Sequence, residues 1–222
     1  TGNFFQSINE SEIVQSGDRL IIPQDYKTWT MDVAGLQNFL KTVPMEYSVK
    51  TSLSSTVLLM PMPDGTLHRF AVVESPVMAP ELAENFPMIK TYAGQGIDDQ
   101  SASLRFDLTP HGFHAMILSP NGRVFIDPYS KGDVSNYISY YTKNFVKENA
   151  SFDCEVISDE STRIELENLR LIYGDTPTGP QLRTYRLAVA TTGEYSTFHG
   201  GTVPLALAAV VTTVNRVTGV YE

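Results

Sequence analysis

Few side chains in this 222-residue chain are of types that do chemistry, and their spacing decides what they offer. His111 and His114 stand three apart, with Asp127 beyond the Asn121-Gly122 turn on what reads as the neighbouring strand. Two imidazoles and a carboxylate form a common zinc ligand set. In a strand, however, positions three apart face opposite sides, so the two rings diverge unless Pro110 and Gly112 introduce a bulge. A structural role is therefore expected for both, with a metal site as the sharper alternative. Asp98-Asp99 in GQGIDDQ offers two carboxylates where calcium takes six or more oxygens, which predicts a solvated turn. His199, just before Gly200-Gly201, reads as a loop residue. The single cysteine, Cys154, excludes an internal disulfide framework. In SFDCEVI it shares a strand face with Phe152 and Val156, which predicts a small buried hydrophobe. Tyr137, Tyr140, Tyr141 and Phe145 have the types of a carbohydrate platform, but their spacing equally suits a sheet covered on both faces, the preferred reading. No His-Glu-x-x-His string, phosphate-binding glycine loop or recognisable nucleophile–base spacing occurs.

The elements that must position these groups are mostly strands. Residues 1–28 are polar and weakly periodic apart from Leu20-Ile21-Ile22. Trp29 to Leu40 reads as a short helix led in by Asp32, with Leu36, Phe39 and Leu40 on one face and Pro44 beyond its end. Strands are expected over 56–60 and 69–74, joined around Pro63-Asp64-Gly65, and one or two helical turns over 80–86. Three more strands are expected over 103–108, 112–118 and 123–127, the last two joined by Ser119-Pro120-Asn121-Gly122. The β pattern continues over 136–145 and 152–157. Residues 29–173 thus read as a mostly antiparallel β domain with short helices, a curved sheet or a sandwich. GDTPTGPQ within 174–183 has the composition of a linker.

Beyond the linker, Tyr185, Leu187 and Val189 alternate as in a strand, and Gly200-Gly201 break the chain. Thr202 is a suitable N-cap, Leu207, Val210, Val211, Val214 and Val217 recur at helical spacing, and Gly219 is a natural stop. A strand and a helix make half of an α/β unit and cannot bury their own faces. The whole therefore reads as α+β: a β-rich domain followed by a truncated α/β strand–helix unit over 184–222.

The YRLAVATTGEY strand, the FHGGTV turn and the helix ending NRVTGVYE resemble the start of the catalytic domain of secreted bacterial reprolysin-like (metzincin) zinc metalloproteases. Residues 29–145 also resemble the pro-regions ahead of such enzymes, through LMPMPDG, FAVVESP, PMIKTYAGQG, HGFHAM and VFIDPY in that order. The resemblance implies a propeptide that assists folding and keeps its enzyme latent. It implies zinc in the parent protein, held by an HExxH helix that this chain lacks, so the chain itself is expected to have no catalytic residue and no cofactor. The expected partner is the catalytic domain of the same polypeptide. A prodomain cysteine blocks the zinc in related enzymes; Cys154 is the only cysteine here, Asp153 or Glu155 offers a carboxylate alternative, and the surrounding residues lack the Pro-Lys-Met-Cys-Gly pattern.

Composition narrows the alternatives. A hydrophobic content of 42% supports a globular fold, and the net charge of −9, concentrated in residues 1–180, disfavours binding to phosphate backbones. No apolar run reads as a membrane span. Secretion is expected, with a signal peptide removed before Thr1. The second function class is a non-catalytic β-rich binding or assembly module that self-associates through 184–222. A third is an independent metal hydrolase built on His111 and His114.

Overall fold

The computed structural model describes residues 1–145 and 186–221. The chain divides into two compact units, Thr1–Val146 with Thr191–Glu222, and Lys147–Ala190, of which residues 186–190 are described. The architecture is α+β. Nine strands, β1 (Phe5–Ser7), β2 (Lys27–Met31), β3 (Val57–Pro61), β4 (Leu67–Glu74), β5 (Lys90–Gly96), β6 (Ser103–Thr109), β7 (Gly112–Ser119), β8 (Gly122–Pro128) and β9 (Asn136–Tyr141), form one sheet in the order β1-β2-β9-β8-β7-β6-β5-β4-β3. Every neighbouring pair is antiparallel.

The two edges of this sheet meet. Gly2 forms a parallel bridge to Leu58 on β3, donating to the Val57 carbonyl at 2.8 Å and accepting from the Leu59 amide at 3.0 Å. Three residues later the same segment enters β1 on the opposite edge. The N-terminus thus closes the sheet into a barrel-like cylinder, which removes free edges that would otherwise template further pairing. Alternation along the strands then sorts the side chains. Leu104 and Phe106 of β6, Phe113, Ala115 and Ile117 of β7, and Val124 and Ile126 of β8 fill the interior. Arg105, Asp107, His114 and Asp127 occupy the alternate, outward positions.

Helix α1 (Val33–Leu40) adds Leu36 and Leu40 to this interior core, and the Asp32 carboxylate accepts from the Gly35 amide at 2.9 Å. A side-chain cap of this kind stabilises a helix by about 1 kcal/mol. The helix is shorter than its sequence suggests, because Trp29, Thr30 and Met31 belong to β2. Their apolar members face inward, and the Trp29 indole donates to Ser139 Oγ on β9 at 2.9 Å. Burial of that indole, with its donor satisfied, outweighs the local helical pattern. Two strands were not apparent from periodicity: β1, three residues long, and β5, whose sequence KTYAGQG is rich in glycine. The remaining strands and helix α2 (Pro80–Asn85) agree with the sequence reading to within two residues, except that β9 ends at Tyr141. The region 152–157 lies outside the described residues.

At the C-terminal end, α3 (Gly193–Phe198) and α4 (Val203–Tyr221) are helical. The strand expected at 185–189 is not formed in its described part. Residues 186–190 carry no regular structure, and Leu187 and Val189 are exposed. Alternation alone does not make a strand when no neighbour takes up its backbone hydrogen bonds. Helix α4 passes through Gly219, the expected stop, to Tyr221. It is also long and apolar enough to cross a membrane, beyond the sequence expectation, yet one face lies against the sheet and carries Asn215 and Arg216. The half-unit of the sequence reading thus buries its helix on β6, with further contacts to β7 and β5.

Candidate functional site

The outward face of β6–β8 under α4 holds the densest polar chemistry among the described residues. Asp107 Oδ1 accepts from Thr212 Oγ1 at 2.8 Å and lies 3.2 Å from His114 Nδ1. Since an ionised carboxylate only accepts, Nδ1 of His114 carries the proton in that contact. Asp127 accepts from the Arg216 guanidinium through Oδ1 and from the Tyr140 hydroxyl through Oδ2 at 2.9 Å. Asn215 Nδ2 donates to the Phe106 carbonyl at 2.9 Å, and Arg105 donates to Ser75 Oγ at 2.7 Å. Asp107 and Asp127 are almost fully buried, as are Arg105 and Asn215.

The positions on α4 follow from helix geometry. Thr212, Asn215, Arg216 and Gly219 fall at i, i+3, i+4 and i+7 and so share one face. Gly219 lets that face come close: a Cβ there would stand 2.7 Å from Arg105 Cγ and 3.0 Å from Met116 Cε. Ala208 and Val211 continue the contact toward Ile89, with Val77, Met78 and Phe86 around them. Charges balance across the joint, two carboxylates against two guanidinium groups. Burial opposes the Arg216 charge, yet Asp127 with Asp107 and Tyr140 behind it holds the Arg216 pKa above its ordinary value. Burial first, and then Asp127, pushes the Tyr140 hydroxyl far up, so it stays protonated and donates. Arg216 also lies over the Phe125 ring at 4.5 Å.

The histidines are divided. His111 sits in the turn between β6 and β7, and its Nε2 donates to the Leu205 carbonyl of α4 at 2.8 Å. Its ring meets that of His199 edge to face at 5.7 Å. His199, expected in a loop, follows the last residue of α3, where its amide donates to the Tyr195 carbonyl. His114 is committed to Asp107 on the outward face of β6 and β7, and Asp127 to Arg216 and Tyr140. His111, His114 and Asp127 therefore do not converge. No group of three or more metal-ligating side chains comes together among the described residues. Cys154 lies outside them.

The acidic loop is a turn held by its own contacts. Arg69 donates to Asp98 from Nε at 2.9 Å and from Nη2, and the Ser101 amide donates to Asp99 at 2.9 Å. The Arg69 guanidinium at Asp98, and the Ser101 hydroxyl followed by its amide at Asp99, hold both carboxyls below their ordinary pKa. The tyrosines do not form a platform: Tyr137 points into the barrel and Tyr140 under α4, both buried.

Sequence reasoning passed over Arg105, Asp107, Thr212, Asn215 and Arg216. A signal for them existed. Arg105 and Asp107 alternate with Leu104, Phe106 and Leu108 in a strand, and Thr-x-x-Asn-Arg interrupts an otherwise apolar helix. Polar groups that follow each element's own period, two on the strand and three to four on the helix, mark a joint.

No family model, no curated protein and no solved structure matches this chain.

Proposed function

We propose that this chain is the propeptide region of a secreted zinc metalloendopeptidase, joined to the first part of the catalytic domain. The observation that carries this reading is the docking of α4 on the sheet. Residues 29–145 resemble a pro-region, residues 184–222 resemble a protease start, and a buried ion pair, Asp127 with Arg216, links the two. A pro-region that assists folding and latency must grip its enzyme. The grip observed joins the two resembling segments, and it is specific in chemistry: carboxylates and a histidine on the sheet, hydroxyl, amide and guanidinium on the helix.

In this reading the chain performs no catalysis. A tetrahedral zinc site does not fit its described residues, since His111 and His114 face different partners and neither has a third ligand nearby. In this reading zinc would be held by the remainder of the parent and would supply Lewis-acid chemistry for peptide hydrolysis there. The barrel contributes by covering the cleft and excluding substrate.

The test is intact mass of the natively produced protein together with casein digestion, with and without a zinc chelator. A longer species bearing HExxH, with digestion abolished by chelation, is the expected result. A single inert species indifferent to chelator sinks the proposal. That outcome favours a non-catalytic assembly module, the reading suggested by the outer side of α4, where Val203 and Tyr221 are 71% and 87% exposed.

A further inference from the structure

The joint between α4 and the barrel is built differently from the barrel itself. The interior is sealed by aliphatic and aromatic packing, with Phe113 in ring contact with Phe5, Phe106 and Tyr137. The joint adds directed groups to the apolar contact of Ala208 and Val211 with Ile89: Thr212 to Asp107, Asn215 to the Phe106 carbonyl, Arg216 to Asp127, and His111 to the Leu205 carbonyl. Each pairs one group on α4 with one on the sheet, and the sheet's hydrogen-bond ladder closes without the helix. Residues 142–192 separate the last strand from α3 in sequence, so a single cut between them leaves no peptide linkage from the strands to α4.

We propose that the outer face of β6–β8 is a receptor for α4, one that holds the helix non-covalently when the chain between β9 and α3 is cut. The recognised ligand is a helix presenting Thr, Asn, Arg and Gly at i, i+3, i+4 and i+7. Asp127 and Asp107 read the guanidinium and the hydroxyl. The Phe106 carbonyl reads the amide, and Arg105 with Met116 admits only a residue without a side chain at the Gly219 position. Asp127 is 3% exposed and Arg216 24% exposed at the side chain, so the ion pair is shielded and discriminates strongly against a helix lacking the cation. The propeptide reading gains a consequence from this, retention after cleavage, but the receptor rests on the geometry of this chain alone.

A protease recognition sequence inserted after Gly179 tests the inference in the full chain. After cutting, the two fragments are expected to co-elute in size-exclusion chromatography and to separate in urea. Asp127→Asn is expected to weaken retention on the order of a hundredfold, as loss of one partner of a buried pair does. Thr212→Val, which keeps shape and removes only the hydroxyl, should weaken it by about tenfold. Circular dichroism follows the sheet in each case. Separation on cutting with the sheet intact overturns the receptor, and retention unchanged in both variants overturns the recognition code. Loss of the sheet on cutting also overturns it, because α4 would then be a member of the core rather than a ligand. None of these outcomes bears on zinc or proteolysis, which the casein assay addresses separately.

Discussion

Arg216 on α4 reaches Asp127 on β8 across the helix–sheet joint, and Asp127 in turn accepts from Tyr140 on β9. One buried carboxylate thus couples two strands and a helix that lies 89 residues away in sequence. Removing one member of such a pair leaves the other charge buried without compensation, which costs about 3 kcal/mol or more. Arg216→Met alone should therefore destabilise the chain by about that amount in urea unfolding. Arg216→Met combined with Asp127→Leu should recover part of the loss, since both charges are then gone and the stem of residue 216 still packs on Phe125. Single and double variants of equal stability would show that the pair contributes nothing.

Tyr137 offers a cleaner case inside the barrel. Its hydroxyl donates to the Val134 carbonyl at 2.7 Å and accepts from the Phe113 amide at 3.2 Å. Burial raises its pKa strongly, so the proton stays in place across the working range of pH. Tyr137→Phe keeps the ring contacts with Phe5 and Phe113 while orphaning two backbone groups. The expected loss is about 1–3 kcal/mol with an unchanged urea m-value. A loss under half of that lower figure would mean water replaces the hydroxyl.

Closure by the N-terminus makes a prediction about a segment that looks dispensable. Phe5 is 1% exposed and contacts Phe113 and Tyr137 edge to face. Phe5→Ala should cost about 3–5 kcal/mol, as large core truncations do. Removing residues 1–7 takes away both the Gly2 bridge and β1, leaving β2 and β3 as free edges. Aggregation on concentration, followed by light scattering, is the expected result. A monomeric, equally stable truncated chain would mean that closure is ornamental.

Much of this barrel was legible in the sequence because its turns carry their own chemistry. Gly65 and Gly122 adopt φ of +89° and +124°, which the Pro63-Asp64-Gly65 and Asn121-Gly122 strings announce, and the strands on either side follow. β5 was not legible because its glycines serve packing. A Cβ on Gly94 would stand 3.0 Å from Leu104 Cδ2 and 3.3 Å from the Ala71 carbonyl, so the position excludes the β-branched residues that betray a strand. β2 was hidden because Trp29 stands seven residues before Leu36, in phase with the helix that Asp32 starts. The joint was hidden for another reason: helical spacing identifies a buried face, but only the fold says that Thr212, Asn215 and Arg216 meet Asp107, the Phe106 carbonyl and Asp127. His111 and His114, the candidates that sequence did supply, are real parts of this region but act as contacts to α4 and to Asp107.

Gly219 tests the close approach directly. Its missing side chain is what allows α4 to lie against Arg105 and Met116. Gly219→Ala improves helix propensity by about 1 kcal/mol in an exposed helix, so propensity alone predicts stabilisation. The clash at 2.7 Å with Arg105 Cγ argues the opposite, because the Cγ lies near the backbone and Arg105 is buried. Gly219→Leu, larger still, should lift the C-terminal turns of α4 and cost about 1–3 kcal/mol. Hydrogen exchange would read this as lost protection in α4 with the barrel strands unchanged.

The pH dependence should centre on His199. Burial, then the neighbouring His111 ring and Lys131, hold its pKa below the ordinary imidazole value of 6.5. Lys131 is fixed nearby, donating to the Phe198 carbonyl at 2.6 Å. The folded chain therefore favours neutral His199, and the unfolded chain binds more protons between the depressed and the ordinary pKa. Stability from this group is complete above the ordinary value and is lost as pH falls through that window. Glu10 adds a second loss at more acid pH. The Tyr26 hydroxyl, against the opposing effect of burial, then Tyr129 and Arg19 hold its carboxyl below 4.5, so its contribution disappears as pH falls below that value. Thermal unfolding from neutral to about pH 3 should show a falling midpoint, and His199→Phe should flatten the slope above about pH 5 while leaving the more acid loss in place. A slope unaffected by the substitution would assign the titration to another group.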